Sequence, residues 1–136
     1  MLKEKKKKIF LFVCKANSGR SQMAEAFFNH FSKTHRAISA GIEPDERIHP
    51  WTVKVMKEVG IDVSNCSPKP LTDNLMKKAD KIIILDHRVP KLIPLKYSKK
   101  TERWKVGRLA KKPIEKVRVV RDRIRRRVER LVKMIE

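Results

Sequence analysis

The sequence predicts an α/β fold, a three-layer sandwich in which a central four-stranded parallel sheet is flanked by helices. Apolar runs of strand length alternate with segments whose apolar residues recur every three or four positions, an order typical of parallel sheets with helical crossovers. The first run, Ile9 to Val13, is apolar throughout. A strand of that composition is expected at the centre of a sheet, buried on both faces.

The elements after this strand follow in order. A helix is predicted over residues 20–33, and residues 36–41, RAISAG, form the next predicted strand. Pro50 suits the first turn of a second helix that ends at Gly60. Thr72 is the predicted N-cap of a short third helix. The apolar face of the first helix consists of Met23, Ala24, Phe27, Phe28 and Phe31.

The second half of the chain supplies two more strands and a long helix. KIIILD, residues 81–86, is the clearest core strand after the first, and a short strand is predicted near residues 104–106. From Pro113 to the end, apolar residues follow the rhythm of a helix with one apolar face. We predict one domain, residues 1–136, with residues 1–7 as a basic lead-in. The apolar face of the last helix consists of Ile114, Val117, Val120, Ile124, Val128, Leu131 and Ile135.

The charge of the chain is strongly positive. Lys and Arg number 35 against 15 Asp and Glu, a formal net charge of +20. Such a field attracts nucleic acids, anionic membrane surfaces and small anions alike. The last helix has no aromatic side chain that could stack on bases. We therefore interpret its arginines as a solvated face, with an RNA-binding surface as the alternative. They are Arg118, Arg121, Arg123, Arg125, Arg126, Arg127 and Arg130.

Cysteine content and apolar runs bear on location. Two cysteines are too few for the disulfide framework of a small secreted protein, so we expect a cytoplasmic chain. The apolar runs are far too short to cross a bilayer, and no membrane partner is expected. No metal and no cofactor are predicted.

The loop after the first strand carries the main functional signal. Cys14 ends that strand and Arg20 opens the next helix; between them lie Lys15, Ala16, Asn17, Ser18 and Gly19. A loop of this length can curl so that its backbone N–H groups converge on one point, where the helix also presents the positive end of its dipole. Arg20 can grip two oxygens of a bound anion with its planar fork. The pattern predicts an oxyanion socket, at the sheet edge where parallel α/β folds bind ligands.

Cys14 would lie at the bottom of this socket. The same N–H groups, the helix dipole and Arg20 all favour the thiolate over the thiol, and the Ser21 hydroxyl is well placed to donate to the sulfur. The result is an activated nucleophile facing a tetrahedral oxyanion. The alternative is that Cys14 is only a small buried residue at the end of a strand. The arginine and serine that follow at this spacing favour the nucleophile.

The stretch FVCKANSGRSQMAEAFF resembles the phosphate loop and first helix of the low-molecular-weight protein tyrosine phosphatases and the thioredoxin-coupled arsenate reductases, which share one fold. Its second half, SQMAEAFF, leans toward the reductases. Further along, SAGIEP, HPWTVKVMKEVGIDVS, ADKIIILD and VRDRIRRRVERL follow in the expected order. The resemblance therefore covers most of the chain.

The resemblance implies a role for each loop residue that matches. Cys14 would be the nucleophile and Arg20 the clamp on the oxyanion and transition state. Asn17 would brace the loop, a position that its tolerance of tight turns also suits. Ser21 would hydrogen-bond to the thiolate. The implied partner is phosphate, arsenate or another tetrahedral oxyanion.

Two departures separate the chain from both branches. The reductases usually carry a second cysteine just before the loop arginine, where this chain has Gly19, and many carry a cysteine pair after the third core strand, which is absent here. The phosphatases carry an Asp-Pro general acid after the fourth strand, where Arg108 and Leu109 stand. Asp86, at the end of the third core strand, is expected to cap or brace the loop, with replacement of the missing general acid as its alternative role. His87 and Glu102 are further candidates.

The predicted function is hydrolysis of phosphate monoesters, including phosphoproteins, through a cysteinyl-phosphate on Cys14. One alternative is an arsenate reductase that passes its arsenic adduct from Cys14 to an external thiol. Another is a weakly catalytic module that binds oxyanions or phospho-ligands. Cys66 is interpreted as an ordinary loop cysteine, with a resolving thiol for Cys14 as the alternative. His49 and Trp51, at the start of the second helix, are predicted to pack.

Overall fold

The computed structural model describes residues 6–89, 93–109 and 112–136. Residues 1–5 of the predicted basic lead-in, and Pro90, lie outside these ranges. The described strands are β1 (Ile9–Cys14), β2 (Arg36–Gly41), β3 (Lys81–Ile84) and β4 (Thr101–Arg103). The described α-helices are α1 (Arg20–Phe31), α2 (Pro50–Lys57), α3 (Asp73–Lys78) and α4 (Ile114–Ile135), and a 3-10 helix spans Leu95–Lys100.

The four strands form one parallel sheet in the order β2-β1-β3-β4. Strand β1 lies inside the sheet: Cys14 pairs with Gly41 of β2, and Val13 pairs with Ile84 of β3. The predicted parallel α/β sheet is confirmed. Because all strands run the same way, the loops after β1, β3 and β4 meet at one edge of the sheet.

Alternate side chains of β1 enter two separate cores. Phe12 packs on one face with Phe28 of α1 and Ile124 of α4. Val13 packs on the opposite face with Met76 of α3. Since successive strand residues point to opposite faces, the continuous apolar run of β1 has a partner layer on each side. This arrangement is the predicted three-layer sandwich.

Strand β4 lies earlier in the chain than predicted. The structure has the strand at Thr101–Arg103, and residues 104–106, where the strand was expected, follow it as a segment without strand pairing. Trp104 donates one last backbone hydrogen bond to Ile84 O at 2.9 Å, and its ring then packs 5.8 Å from that of Phe12. The apolar residues of this segment mark burial in the core and not continued strand pairing.

The basic face of α4 is less solvated than predicted. Arg121 is buried, and its Nη1 donates to Val55 O at 2.9 Å and to Glu58 Oε1 at 2.8 Å. Arg118 binds the same carboxylate through Nη2 at 2.8 Å. These two arginines join α4 to the end of α2, whereas Arg126 and others remain exposed. Among the described residues, no helix is both long enough and apolar enough to span a bilayer.

The end of β2 packs directly on the loop that follows β1. Gly41 has no room for a side chain, because a Cβ there would lie 2.7 Å from Lys15 O and 2.9 Å from Asn17 N. Beyond it, Glu43 N donates to Lys15 O at 2.8 Å. The position of this loop is therefore set by the adjacent strand as well as by its own sequence.

We expect the substitution Gly41→Ala to lower the free energy of unfolding by about 1–3 kcal/mol, because its methyl group would meet backbone atoms in a close-packed site. Urea denaturation measures this change. The matched control is Gly60→Ala, a site with φ +82° and open space around the Cβ. It should cost only about 1 kcal/mol, from backbone strain. An equal or larger loss at Gly60 would contradict the packing argument.

Candidate active site

The loop Lys15–Gly19 forms the floor of a cavity of about 960 Å³ at the carboxyl edge of the sheet. Cys14 and Arg20 line the cavity with the loop, and Asn17 is the loop residue that lies behind it, fully buried. The walls come from the β2–α2 loop, the segments after β3 and β4, and the start of α4. The structure thus brings the residues predicted from the sequence to one place.

Cys14 is buried, with two hydrogen-bonding neighbours at its sulfur. Its Sγ accepts a hydrogen bond from Asn17 N at 3.2 Å and lies 2.8 Å from Ser21 Oγ. Ser21 Oγ already accepts from Asn17 Nδ2 at 2.7 Å, which leaves its own proton to donate to the sulfur. A backbone N–H and a hydroxyl therefore both lie within hydrogen-bonding distance of the sulfur.

Asn17 adopts a backbone conformation that is unusual for a residue other than glycine. Its φ of +50° lies in the left-handed region, which asparagine tolerates better than most residues. Its Oδ1 accepts from Lys69 N at 2.8 Å and from Gln22 Nε2 at 3.0 Å. Neither Gln22 nor Lys69 was among the predicted site residues; the position of Gln22 in the first turn of the predicted helix, directly after the loop, was the available signal.

Arg20 is almost fully buried and held on two sides. Its Nη2 lies 2.8 Å from Asp86 Oδ2, and its Nη1 donates to Gly107 O at 2.8 Å. Asp86 follows β3 and Gly107 follows β4, so that two neighbouring strand ends orient one guanidinium. Its remaining N–H groups are available to an oxyanion in the cavity.

Asp86 carries an ionised, fully paired carboxylate. Its side chain is inaccessible to solvent, and besides Arg20 it accepts from Lys15 N at 3.1 Å and from Arg88. Burial alone would raise the pKa of Asp86, but hydrogen bonds from Arg88 and the charge of Arg20 hold it well below its usual range. Such a carboxylate has no proton to give near neutral pH. Its geometry fits bracing of the loop better than general acid catalysis.

The other acid candidates lie less favourably. His87 is exposed, with Nδ1 3.7 Å from Asp86 Oδ1. Glu102 accepts from Trp104 Nε1 at 2.7 Å and pairs with Lys81 at 3.1 Å, and it is not part of the cavity lining. Leu109, at the position where the resemblance places the acid of the phosphatases, is part of the cavity lining.

The start of α2 does not pack as predicted. His49 is exposed and caps the helix, its Nδ1 accepting from Trp51 N at 3.1 Å. Trp51 is 41% exposed, and both rings line the cavity. The prediction was wrong because a helix that starts at the carboxyl edge of the sheet turns its first residues toward the site and not toward the core.

Cys66 lies away from the cavity lining, in the connector behind the loop. Desolvation raises the pKa of its thiol, which disfavours the reactive thiolate. The neighbouring Ser67 O accepts from Gln22 Nε2 at 3.2 Å, so this connector supports the loop from its rear. Within the described ranges, no three His, Cys, Asp or Glu side chains are grouped as a metal site.

Comparisons with known proteins agree with this geometry. The family model described as low molecular weight phosphotyrosine protein phosphatase matches residues 9–136. Arsenate reductase 2 of Staphylococcus epidermidis is 35% identical over 125 residues, which cover 90% of this chain and 95% of the relative.

Solved structures extend the likeness to three dimensions. An arsenate reductase in the phosphate-binding state is 33% identical to this chain with a TM-score of 0.85. The match covers 95% of this chain and 99% of the reductase chain. A low molecular weight protein tyrosine phosphatase from T. tengcongensis is 26% identical with a TM-score of 0.80. That match covers 93% of this chain and 99% of the phosphatase chain. With the family model spanning β1 to the end of α4, the chain belongs to the low molecular weight phosphotyrosine protein phosphatase family.

Proposed function

We propose that this enzyme hydrolyses phosphate monoesters through a cysteinyl-phosphate intermediate on Cys14. The observation that carries the proposal is the sulfur of Cys14 on the cavity floor, with Asn17 N and Ser21 Oγ beside it. Arg20 stands in the same lining, oriented by Asp86. A cysteine sulfur next to a fixed guanidinium suits covalent attack on a tetrahedral oxyanion.

The proposed reaction has two steps. In the first, the thiolate attacks phosphorus and a P–S bond forms as the P–O bond to the leaving group breaks. Arg20 binds the equatorial oxygens, whose negative charge is spread in the transition state. In the second step, water attacks phosphorus, the P–S bond breaks, and inorganic phosphate leaves with the thiolate restored.

Protonation of the leaving group is the step for which the candidate residues of this site are least suited. Asp86 is ionised by its arginine partners, and Leu109 stands where the phosphatases have their acid. A positioned general acid contributes about 10²- to 10⁴-fold. We therefore propose that the leaving oxygen takes its proton from water, and that substrates with good leaving groups are favoured.

The substitution Cys14→Ser should reduce turnover of p-nitrophenyl phosphate by more than about 10³-fold, because it removes the nucleophile. Release of p-nitrophenol measures the rate. Cys66→Ser, which changes the chain's other cysteine, is the matched control and should keep the wild-type rate. Unchanged hydrolysis by Cys14→Ser would refute the assignment.

The role of Asp86 can be tested with two substrates that differ in leaving group. If Asp86 only positions Arg20, Asp86→Asn should lower kcat/KM for p-nitrophenyl phosphate and phenyl phosphate by a similar factor, about 10²-fold or less. Loss of a general acid would instead slow phenyl phosphate far more, because phenolate is the poorer leaving group. That selective loss would contradict the positioning role.

Arsenate reduction is the second candidate, favoured by the identity to proteins named arsenate reductase over 90% of this chain. Here the Cys14 thiolate would form an S–As bond with arsenate as water is lost. An external thiol would then attack the sulfur, giving a mixed disulfide and arsenite, with two electrons passing from the sulfurs to arsenic. A second thiol would reduce the disulfide. Gly19 replaces the internal cysteine, so an external thiol is required.

We expect arsenate reduction to be slower than phosphate ester hydrolysis when thioredoxin, glutaredoxin or a small thiol is supplied in turn. The reason is that Cys66, the other cysteine of the sequence, lies outside the cavity lining and so is not placed to resolve the adduct. Arsenite production measures the reaction, and omission of the thiol is the control. Thiol-dependent reduction without hydrolysis would make the reductase the better assignment.

A further inference from the structure

Arg88 is a second arginine in the wall of the active-site cavity, and neither proposed reaction uses it. It follows β3 by a few residues, and its side chain is 39% exposed. Its Nε donates to Asp86 Oδ1 at 3.1 Å and its Nη2 to Asp86 Oδ2 at 2.9 Å, and its backbone N also donates to Oδ1. This fork-to-fork arrangement fixes the guanidinium in one orientation.

The two guanidiniums share one oxygen. Asp86 Oδ2 lies 2.8 Å from Arg20 Nη2 and 2.9 Å from Arg88 Nη2. The two cations therefore stand side by side on the same wall, with one carboxylate between them. Arg88 is the one of the two that reaches solvent, since the Arg20 side chain is only 5% exposed.

Other acids of the cavity are engaged elsewhere. Glu43 pairs with Lys15 at 3.8 Å, and Asp45 accepts from Ser18 Oγ at 2.6 Å. Hydrogen bonding to Asp86 raises the pKa of Arg88. Arg88 and the proposed nucleophile Cys14 line the same cavity.

We infer that Arg88 binds a second anionic group, a carboxylate or a phosphate, that the substrate carries next to the group held by Arg20. A guanidinium has more N–H donors than Asp86 engages, and its planar fork matches both anions. The preferred substrates are then oxyanion esters with an acidic neighbour, not isolated monoesters. The inference relies on the proposed function for the identity of the reacting group, whereas the binding of the second anionic group can be measured without turnover.

Three unreactive ligands test this inference by calorimetric titration. Methylphosphonate has one anionic group, phosphonoacetate adds a carboxylate, and methylenediphosphonate adds a second phosphonate. The wild type should bind one or both of the latter about 10- to 100-fold more tightly than methylphosphonate, the range of a charge-assisted contact. A gain for phosphonoacetate alone identifies the second group as a carboxylate, a gain for methylenediphosphonate alone identifies it as a phosphate, and a gain for both means that Arg88 accepts either.

The substitution Arg88→Gln should abolish that gain, so that the three ligands bind with similar affinity, and Arg88→Lys should retain part of it because it keeps the charge. The control is Arg126→Gln, an exposed arginine of α4 roughly 13 Å along the helix from the cavity residue Val117. It should leave all three affinities unchanged.

Three results would overturn the inference. Equal binding of all three ligands by the wild type would mean that no second subsite exists. An equal loss for all three in Arg88→Gln would mean that Arg88 acts only through Arg20. A loss of the same size in Arg126→Gln would mean that the net positive charge, and not Arg88, attracts the second anion. Because the ligands do not react, failure of phosphate ester hydrolysis would leave these readouts intact.

Discussion

The buried carboxylate of Asp86 joins the parts of this protein that must act together. It stands at the end of β3 and is held by Lys15 N of the loop after β1, by Arg20 at the start of α1, and by Arg88. A desolvated charge is tolerated only when it is paired and hydrogen-bonded, so each of these partners is fixed in turn. The shape of the anion site therefore depends on the pairing of β1 with β3.

Much of the fold could be predicted because its signals are local. The apolar run of β1 and the three-four rhythm of α4 survive as buried faces in the structure. The loop between Cys14 and Arg20 could be predicted for the same reason, since a fixed spacing between a strand and a helix determines where both side chains point. These features could be predicted from residues close in sequence, without knowing where the rest of the chain lies.

The errors concern residues whose surroundings come from distant segments. Trp51 is apolar and begins a helix, and only the position of α2 at the sheet edge makes it a cavity residue. Arg121 belongs to a run of arginines, but the end of α2 covers it. Asp86 and Arg88 are two residues apart, yet their relation to Arg20 appears only once β3 lies beside β1. Tertiary contacts of this kind leave no periodic trace in a sequence.

The contact between Gly19 and Leu109 carries a consequence for divergence within the family. A Cβ at Gly19 would lie 2.8 Å from Leu109 Cδ1. The arsenate reductases that this chain resembles place a cysteine just before the loop arginine, and here that cysteine would require Leu109 to rotate away. The two positions belong to different loops but occupy one space. A side chain added at the first position therefore changes the room that the second can occupy, so that the two loops are coupled through the cavity.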